Sequence, residues 1–157
     1  MKIIIIEDDL KIREELSKLL KKNGYETILL NEFENIPLQI ENIDANLILL
    51  DINLPFENGY EICRKIKNIS NIPIIFVTSR DSTQDEIMSI QVGGIDFISK
   101  PYDTIILLEK IKRAINLTDP KNFKEMTKKG YTLDLHLSLL KYKDKEIELT
   151  RNEFRIL

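Results

Sequence analysis

Five short stretches rich in Ile, Leu and Val lie along residues 1–118, and a segment with apolar residues at helical spacing follows each of them. They are Lys2–Ile6, Tyr25–Leu30, Asn46–Asp51 ("NLILLD"), Ile74–Val77 ("IIFV") and Ile95–Ser99. A strand that faces water on one side alternates apolar with polar residues; "KIIII" and "IIFV" do not, so they read as strands covered on both faces. The helical segments carry Leu10, Ile12, Leu16, Leu19 and Leu20, then Ile62, Ile66 and Ile69, then residues 83–92 and 103–116. Asn23-Gly24 and Gly93-Gly94 supply stops. Residues 32–42 are a weaker helix that Pro37 makes irregular. Strand and helix alternating five times predicts an open α/β architecture, a five-stranded parallel sheet with helices on both faces. Periodicity does not give the strand order. The flavodoxin-like order is the usual one for five units, and its sites lie beyond the carboxyl ends of the strands.

That rule makes the charged residues at the strand ends informative. Glu7, Asp8 and Asp9 follow the first strand, Asp51 ends the third, Thr78 and Ser79 end the fourth, and Lys100 ends the fifth. Three adjacent carboxylates repel one another, so they are either solvated or share a cation. Asp9 has a plainer role, as the cap of the following helix. Glu7, Asp8 and Asp51 suit a hard divalent ion such as Mg2+, which takes a few carboxylates and keeps room for a phosphate oxygen. Lys100 adds a positive charge and Thr78 a hydroxyl donor. The set suits formation of an acyl phosphate on Asp51, the carboxylate that stands alone at its strand end.

Composition removes other chemistries. The chain has one Cys and one His among 157 residues. A zinc cluster, a Cys-His dyad and a Ser-His-Asp triad are therefore excluded, and a single thiol fits a reducing cytoplasm. Cys63 reads as a packing residue, and His136 falls in a turn. The longest apolar run is too short to span a bilayer, and the first strand begins at Lys2, which leaves no space for a secretory leader. Residues 1–118 hold 14 Lys and Arg against 19 Asp and Glu, while residues 119–157 hold 9 against 7. The larger part is thus a poor nucleic-acid surface, and the tail is mildly basic.

After Leu117 the pattern changes. "NLTDPKN" reads as a linker, and "YTLDL", "SLLKYK" and "KEIEL" read as short antiparallel strands. "TRNEF" opens like a helix, with Thr150 and Glu153 as a capping box.

The motifs "IIIIEDD", "LILLDINLPFENGYE", "IPIIFVTSRD" and "DFISKPY", in this order, resemble the receiver domain of two-component response regulators of the OmpR/PhoB family. The resemblance covers residues 1–118. It implies Asp51 as phosphoacceptor, and Glu7, Asp8, Asp51 and the Asn53 carbonyl as Mg2+ ligands. It further implies Thr78 and Phe97 as switch residues, Lys100 as the lysine on the phosphoryl group, and a cis Lys100-Pro101 bond. Asn53, Ser79 and Arg80 flank the site, and Asn53 and Arg80 can position or exclude the attacking water. The implied partners are a sensor histidine kinase and a second copy, bound through helix 4, strand 5 and helix 5. On that face Glu86 stands where a basic residue is usual, Ile106 where an acidic one is, and Ile95 where Asp is common. Not all the family's ion pairs can form, Lys110 notwithstanding, and Ile95, Ile105 and Ile106 offer an apolar alternative. Phe97 replaces the more frequent Tyr and has no hydroxyl.

The segment from Tyr131 to Leu157, with "LTRNEFRIL", resembles the opening of that family's winged-helix DNA-binding domain. The implied division is a receiver at 1–118, a linker at 119–123 and a winged-helix fragment at 124–157. The full-length protein would then bind promoter DNA, whereas this chain lacks a recognition helix and is expected not to read sequence. "TSRDSTQDEIMSIQVGGIDFISKP" is similar to regulators of antimicrobial-peptide resistance transporters. Three rival readings fit parts of the sequence. A haloacid-dehalogenase-like phosphatase would need an acid where Asn53 stands. In a flavodoxin, "EDDL" would repel the flavin phosphate. A receiver-like interaction module independent of phosphorylation would not need the complete pocket present here.

Overall fold

The structure is a computed structural model that describes residues 1–118 and, of the remainder, four strands at 126–128, 131–134, 139–142 and 145–148. The chain divides into two compact units, Met1–Ile115 and Asn116–Leu157.

In the first unit, strands β1 (Lys2–Ile6), β2 (Glu26–Leu29), β3 (Leu47–Leu50), β4 (Ile74–Thr78) and β5 (Asp96–Ser99) alternate with helices α1 (Leu10–Lys22), α2 (Ile36–Ile40), α3 (Gly59–Ile69), α4 (Thr83–Gln91) and α5 (Thr104–Thr118). The strands are all parallel and lie in the order β2-β1-β3-β4-β5. This is the flavodoxin-like order. Chain direction reverses its march across the sheet between β1 and β3, which puts the end of β1 beside the end of β3.

The uninterrupted strands are explained by two cores rather than one. Ile4, Ile6, Ile48, Leu50 and Phe76 point to the face covered by Ile62 and Ile66 of α3 and by Ile36 and Ile40 of α2. Ile3, Ile5, Leu47, Leu49, Ile75 and Val77 point to the face covered by Leu16 and Leu20 of α1 and Leu107 and Ile111 of α5. Side chains alternate across a strand, so a strand with a core on each side is apolar at every position.

The helix ends follow capping chemistry. Asp9 Oδ1 accepts from the Ile12 N–H at 3.0 Å, Asn58 Oδ1 from Tyr60 N–H at 2.8 Å, and Ser82 Oγ from Asp85 N–H at 3.1 Å. Asp103 Oδ1 accepts from Ile105 N–H at 2.7 Å. Each satisfies a donor that the first helical turn leaves unpaired. Gly24, at φ +85°, follows the cap of α1, and Gly93, at φ +106°, follows that of α4.

Some readings shift. The segment at 32–42 supports only the five-residue α2, entered through Asn35 at φ +51°. On α1 the buried face is Arg13, Leu16, Ser17 and Leu20, and Leu10 is exposed. Ile69, at the end of α3, is also exposed.

In the second unit, the strands expected from "YTLDL", "SLLKYK" and "KEIEL" are present as β7 (Tyr131–Asp134), β8 (Leu139–Tyr142) and β9 (Lys145–Glu148). A further strand, β6 (Met126–Lys128), joins them in an antiparallel sheet of order β6-β7-β8-β9. His136, the expected linker at 119–123 and the helix expected from "TRNEF" lie outside the described residues.

Candidate functional site

The turn after β1 and the end of β3 bring Glu7, Asp8 and Asp51 together. One carboxylate oxygen from each lies within 4.8 Å of the others. Glu7 and Asp51 are 3 % and 6 % exposed, and Asp8 faces solvent. Two buried carboxylates this close need a positive charge, and Lys100, delivered from the end of β5, supplies it. Its Nζ donates to Glu7 Oε2 at 2.5 Å and to Asp51 Oδ2 at 2.8 Å. The Lys100 backbone N–H is fixed by the Thr78 carbonyl of β4 at 2.7 Å, and the Lys100-Pro101 bond is cis.

Burial raises the Glu7 pKa above the usual carboxylate range, and it outweighs the opposing hydrogen bond from Lys100. Burial alone would lower the Lys100 pKa, but the hydrogen bonds to Asp51 and Glu7 overcome it and hold the ammonium above the ordinary lysine value. The carboxylates therefore keep Lys100 charged, while Glu7 binds a proton more readily than a solvated glutamate. Three oxygen ligands at one point with an exposed side suit a hard divalent cation.

The remaining expected residues surround this cluster. The Asn53 N–H donates to Asp51 Oδ1 at 3.1 Å, its side-chain amide donates to Ser79 Oγ at 3.2 Å, and Arg80 Nε donates to Asn53 Oδ1 at 2.9 Å. Thr78 is fully buried at the end of β4, and its Oγ1 accepts from the Arg80 N–H. Phe97 is buried in the same apolar cluster as Phe76 and Val92. An open cleft of about 500 Å3 lies beside the cluster, lined by Asp8, Asn53, Phe56 and Arg80 among others.

Gly59 makes this arrangement possible. A Cβ there would lie 2.3 Å from the Asp51 carbonyl oxygen and 2.7 Å from Ile52 Cα. The start of α3 thus rests directly on the backbone of Asp51 and Ile52, and only glycine permits that approach.

Sequence reading did not single out Arg13. It is buried, its Nη1 donates to the Leu30 carbonyl at 2.7 Å and the Glu7 carbonyl at 3.3 Å, and its guanidinium lies 5.9 Å from the Phe33 ring centroid. Its Nε is buried without a partner. Arg13 ties the ends of β1 and β2 together at the acidic turn. The available signal was its place three and seven residues before Leu16 and Leu20, on the buried stripe of α1.

On the expected dimer face, Glu86, Ile95, Ile105 and Ile106 are exposed, as are Ile87 and Ile90 of α4. Lys110 Nζ instead pairs within the chain, with Asp96 Oδ1 at 2.6 Å. Cys63 is fully buried, with its thiol pushed up to about 11 by burial, so it is an inert core residue.

Comparison with known proteins agrees with this fold. Residues 3–112 match the response regulator receiver domain. The transcriptional regulatory protein YvcP of Bacillus subtilis is 39 % identical over 117 residues, which is 74 % of this chain and 49 % of that protein. BceR of Halalkalibacterium halodurans, a sensory transduction protein, is 36 % identical over 160 residues, covering 99 % of this chain and 69 % of BceR. The chain therefore spans about half of one relative and about two thirds of the other. Among solved structures, the N-terminal domain of the nisin resistance regulator NsrR superposes with a TM-score of 0.66 at 34 % identity, over 73 % of this chain and 97 % of that one. With residues 3–112 matched, well over half of its length, the chain belongs to the response regulator receiver domain family.

Proposed function

We propose that this chain is the phosphoacceptor part of a two-component transcriptional regulator, switched by phosphorylation of Asp51. The observation that carries the reading is the convergence of Glu7, Asp8, Asp51 and Lys100 at the ends of β1, β3 and β5. In the proposed reaction an Asp51 carboxylate oxygen attacks the phosphorus of a phosphohistidine on a sensor kinase. The P–N bond breaks, the imidazole leaves with the electron pair and takes up a proton, and an acyl phosphate remains. The cleft between Asn53, Phe56 and Arg80 is roomy enough to admit an imidazole.

Glu7, Asp8, Asp51 and the Asn53 carbonyl would hold Mg2+, which supplies positive charge to the transferring oxygens. Lys100, which donates to Asp51 Oδ2, would follow the phosphoryl group. Thr78 contributes its hydroxyl, and Phe97 moves with Thr78 as the switch. Asn53, Ser79 and Arg80 flank the group and govern access of water. The changed α4–β5–α5 face would pair with a second copy, using exposed Ile87, Ile90, Ile95 and Ile106 where other members use ion pairs. An apolar face of this kind suits burial against its own copy. Lys110, held by Asp96, would join the rim of that interface.

The division into a receiver at 1–118, a linker at 119–123 and the start of a winged-helix domain at 124–157 belongs to the same proposal, as does promoter binding by the longer protein. Similarity to BceR and to the nisin resistance regulator NsrR supports a role in responding to antimicrobial peptides or cell-envelope stress. A cytoplasmic site of action fits, and among the described residues no helix is long and apolar enough to cross a membrane.

Incubation with acetyl phosphate, with and without Mg2+, tests the reading. Label that requires Mg2+, disappears in Asp51→Asn and promotes dimerisation in sedimentation is the expected result. Absence of label on the wild-type chain would leave only an interaction module.

A further inference from the structure

The polar residues at the mouth of the site form one connected chain that extends well past the acceptor. The Asn53 amide is engaged at both ends, by Arg80 Nε and Ser79 Oγ. Arg80 Nη1 reaches Asp85 Oδ1 on α4 at 3.5 Å. Asp85 Oδ1 also accepts from the Tyr60 hydroxyl of α3 at 2.9 Å, and Asp85 Oδ2 accepts from Ser82 Oγ at 2.5 Å. The Tyr60 ring is itself anchored, 5.6 Å from that of Phe76. The Ser82 hydrogen bond, joined by those from Tyr60 and Arg80, keeps the Asp85 carboxyl below the usual carboxylate range, so it stays charged.

Arg80 is a long, part-exposed side chain that would otherwise sample many rotamers. Here its guanidinium is held between an amide and a fixed carboxylate. At one end it touches Asn53, whose N–H bonds to the acceptor carboxylate. At the other it touches α4. Asp85 and Tyr60 lie outside the Glu7, Asp8 and Asp51 cluster, yet Asp85 meets Arg80 directly and Tyr60 holds Asp85.

We propose that Asp85 and Tyr60 are positioning residues that hold Arg80 across the mouth of the site and thereby prolong the life of the phosphoryl group on Asp51. Loss of that group is hydrolysis: water attacks phosphorus, the P–O bond to Asp51 breaks, the carboxylate leaves with the electron pair, and the water's proton passes to solvent with release of orthophosphate. Arg80 laid against Asn53 fills space through which that water must come. Freeing Arg80 opens the path. The strap also links phosphoryl lifetime to the position of α4, the helix that carries exposed Ile87 and Ile90.

This inference rests on phosphorylation at Asp51, and the experiment separates the two. The 157-residue chain is labelled with acetyl phosphate and Mg2+, freed of donor, and followed for loss of label. The proteins compared are wild type, Asp85→Asn, Tyr60→Phe, Arg80→Ala and the Asp85→Asn/Arg80→Ala double variant. Asp85→Asn keeps the shape and the Ser82 contact, and Tyr60→Phe keeps the ring on Phe76. Decay is expected to quicken about twofold to fivefold in Asp85→Asn, the range that fits losing one ion pair at a part-exposed site. Tyr60→Phe should quicken it less, in the same direction. In the Arg80→Ala background, Asp85→Asn should add nothing, because the anchor has nothing left to hold. Unchanged or slower decay in Asp85→Asn overturns the proposal, and so does a full Asp85→Asn effect without Arg80. A wild-type chain that takes no label overturns the phosphoacceptor reading instead.

Discussion

Replacing Lys100 with Met tests the electrostatic logic of the acidic cluster. Met keeps much of the apolar stem and removes the charge. In the structure that charge lies 2.5 Å from Glu7 Oε2 and 2.8 Å from Asp51 Oδ2, on a side chain 13 % exposed. Removing one partner of a buried ion pair costs about 3–5 kcal/mol, because the other is left without compensation. Two features reduce that figure. Asp8 opens the cluster to water, and Glu7, already raised in pKa by burial, can take a proton at modest cost. A loss of about 2–3 kcal/mol in the absence of metal follows. For a unit of this size that corresponds to roughly 10 °C in Tm. The assay is a pair of thermal or urea melts, one in EDTA and one in millimolar Mg2+. Mg2+ should raise the Tm of Lys100→Met by more than that of wild type, since the cation replaces the missing charge and stabilises by mass action. Equal stability of the two proteins in EDTA would show that the carboxylates are solvated and need no compensating charge, and would refute the reasoning.

Four further outcomes follow. Because the folded-state pKa of Glu7 is raised, the group favours folding fully below its unfolded value of 4.5, and that contribution is lost as pH rises through the raised folded value. Mg2+ needs the ionised form, so titrations at a series of pH values should show affinity falling on acidification at a pH above the ordinary glutamate range; a fall confined to the ordinary range would contradict the burial argument. Gly59→Ala should cost about 1–3 kcal/mol, and phosphorylation should slow with it, since the new methyl presses on the Asp51 carbonyl; a denaturant midpoint and a labelling rate at wild-type values would count against the close packing. Arg13→Met should loosen the turn after β1 and weaken Mg2+ binding several-fold, as calorimetry can measure, because two backbone carbonyls lose their donor at about 1–3 kcal/mol each. Asp51→Asn should lose phosphorylation entirely while remaining folded by circular dichroism.

The parallel sheet was legible because burial on both faces leaves no polar position within "KIIII" and "IIFV". The site was legible because charged residues recur at the ends of those same strands. Other features had no local signature. Whether Lys100 bridges Glu7 and Asp51 depends on the distance between β5 and β1, two strands apart from each other across β3 and β4. Arg13 looks like a surface arginine until the buried stripe of α1 is fixed, because Leu10 and Ile12 suggest a different face. The link from Tyr60 to Asp85 spans 25 residues and arises only when the fold brings the starts of α3 and α4 together. Helix α2 starts only at Ile36, because Pro37 belongs in a first helical turn and the left-handed Asn35 does not extend it backward, whereas the apolar pattern alone gives a longer element.

The central claim is that Asp51 carries the phosphoryl group. After reaction with acetyl phosphate and Mg2+, borohydride reduces an aspartyl phosphate to homoserine, and peptide mass spectrometry then locates the altered residue. Conversion at position 51, absent without Mg2+, is the predicted result. Conversion at Glu7, Asp8 or any other carboxylate, with Asp51 intact, would contradict it.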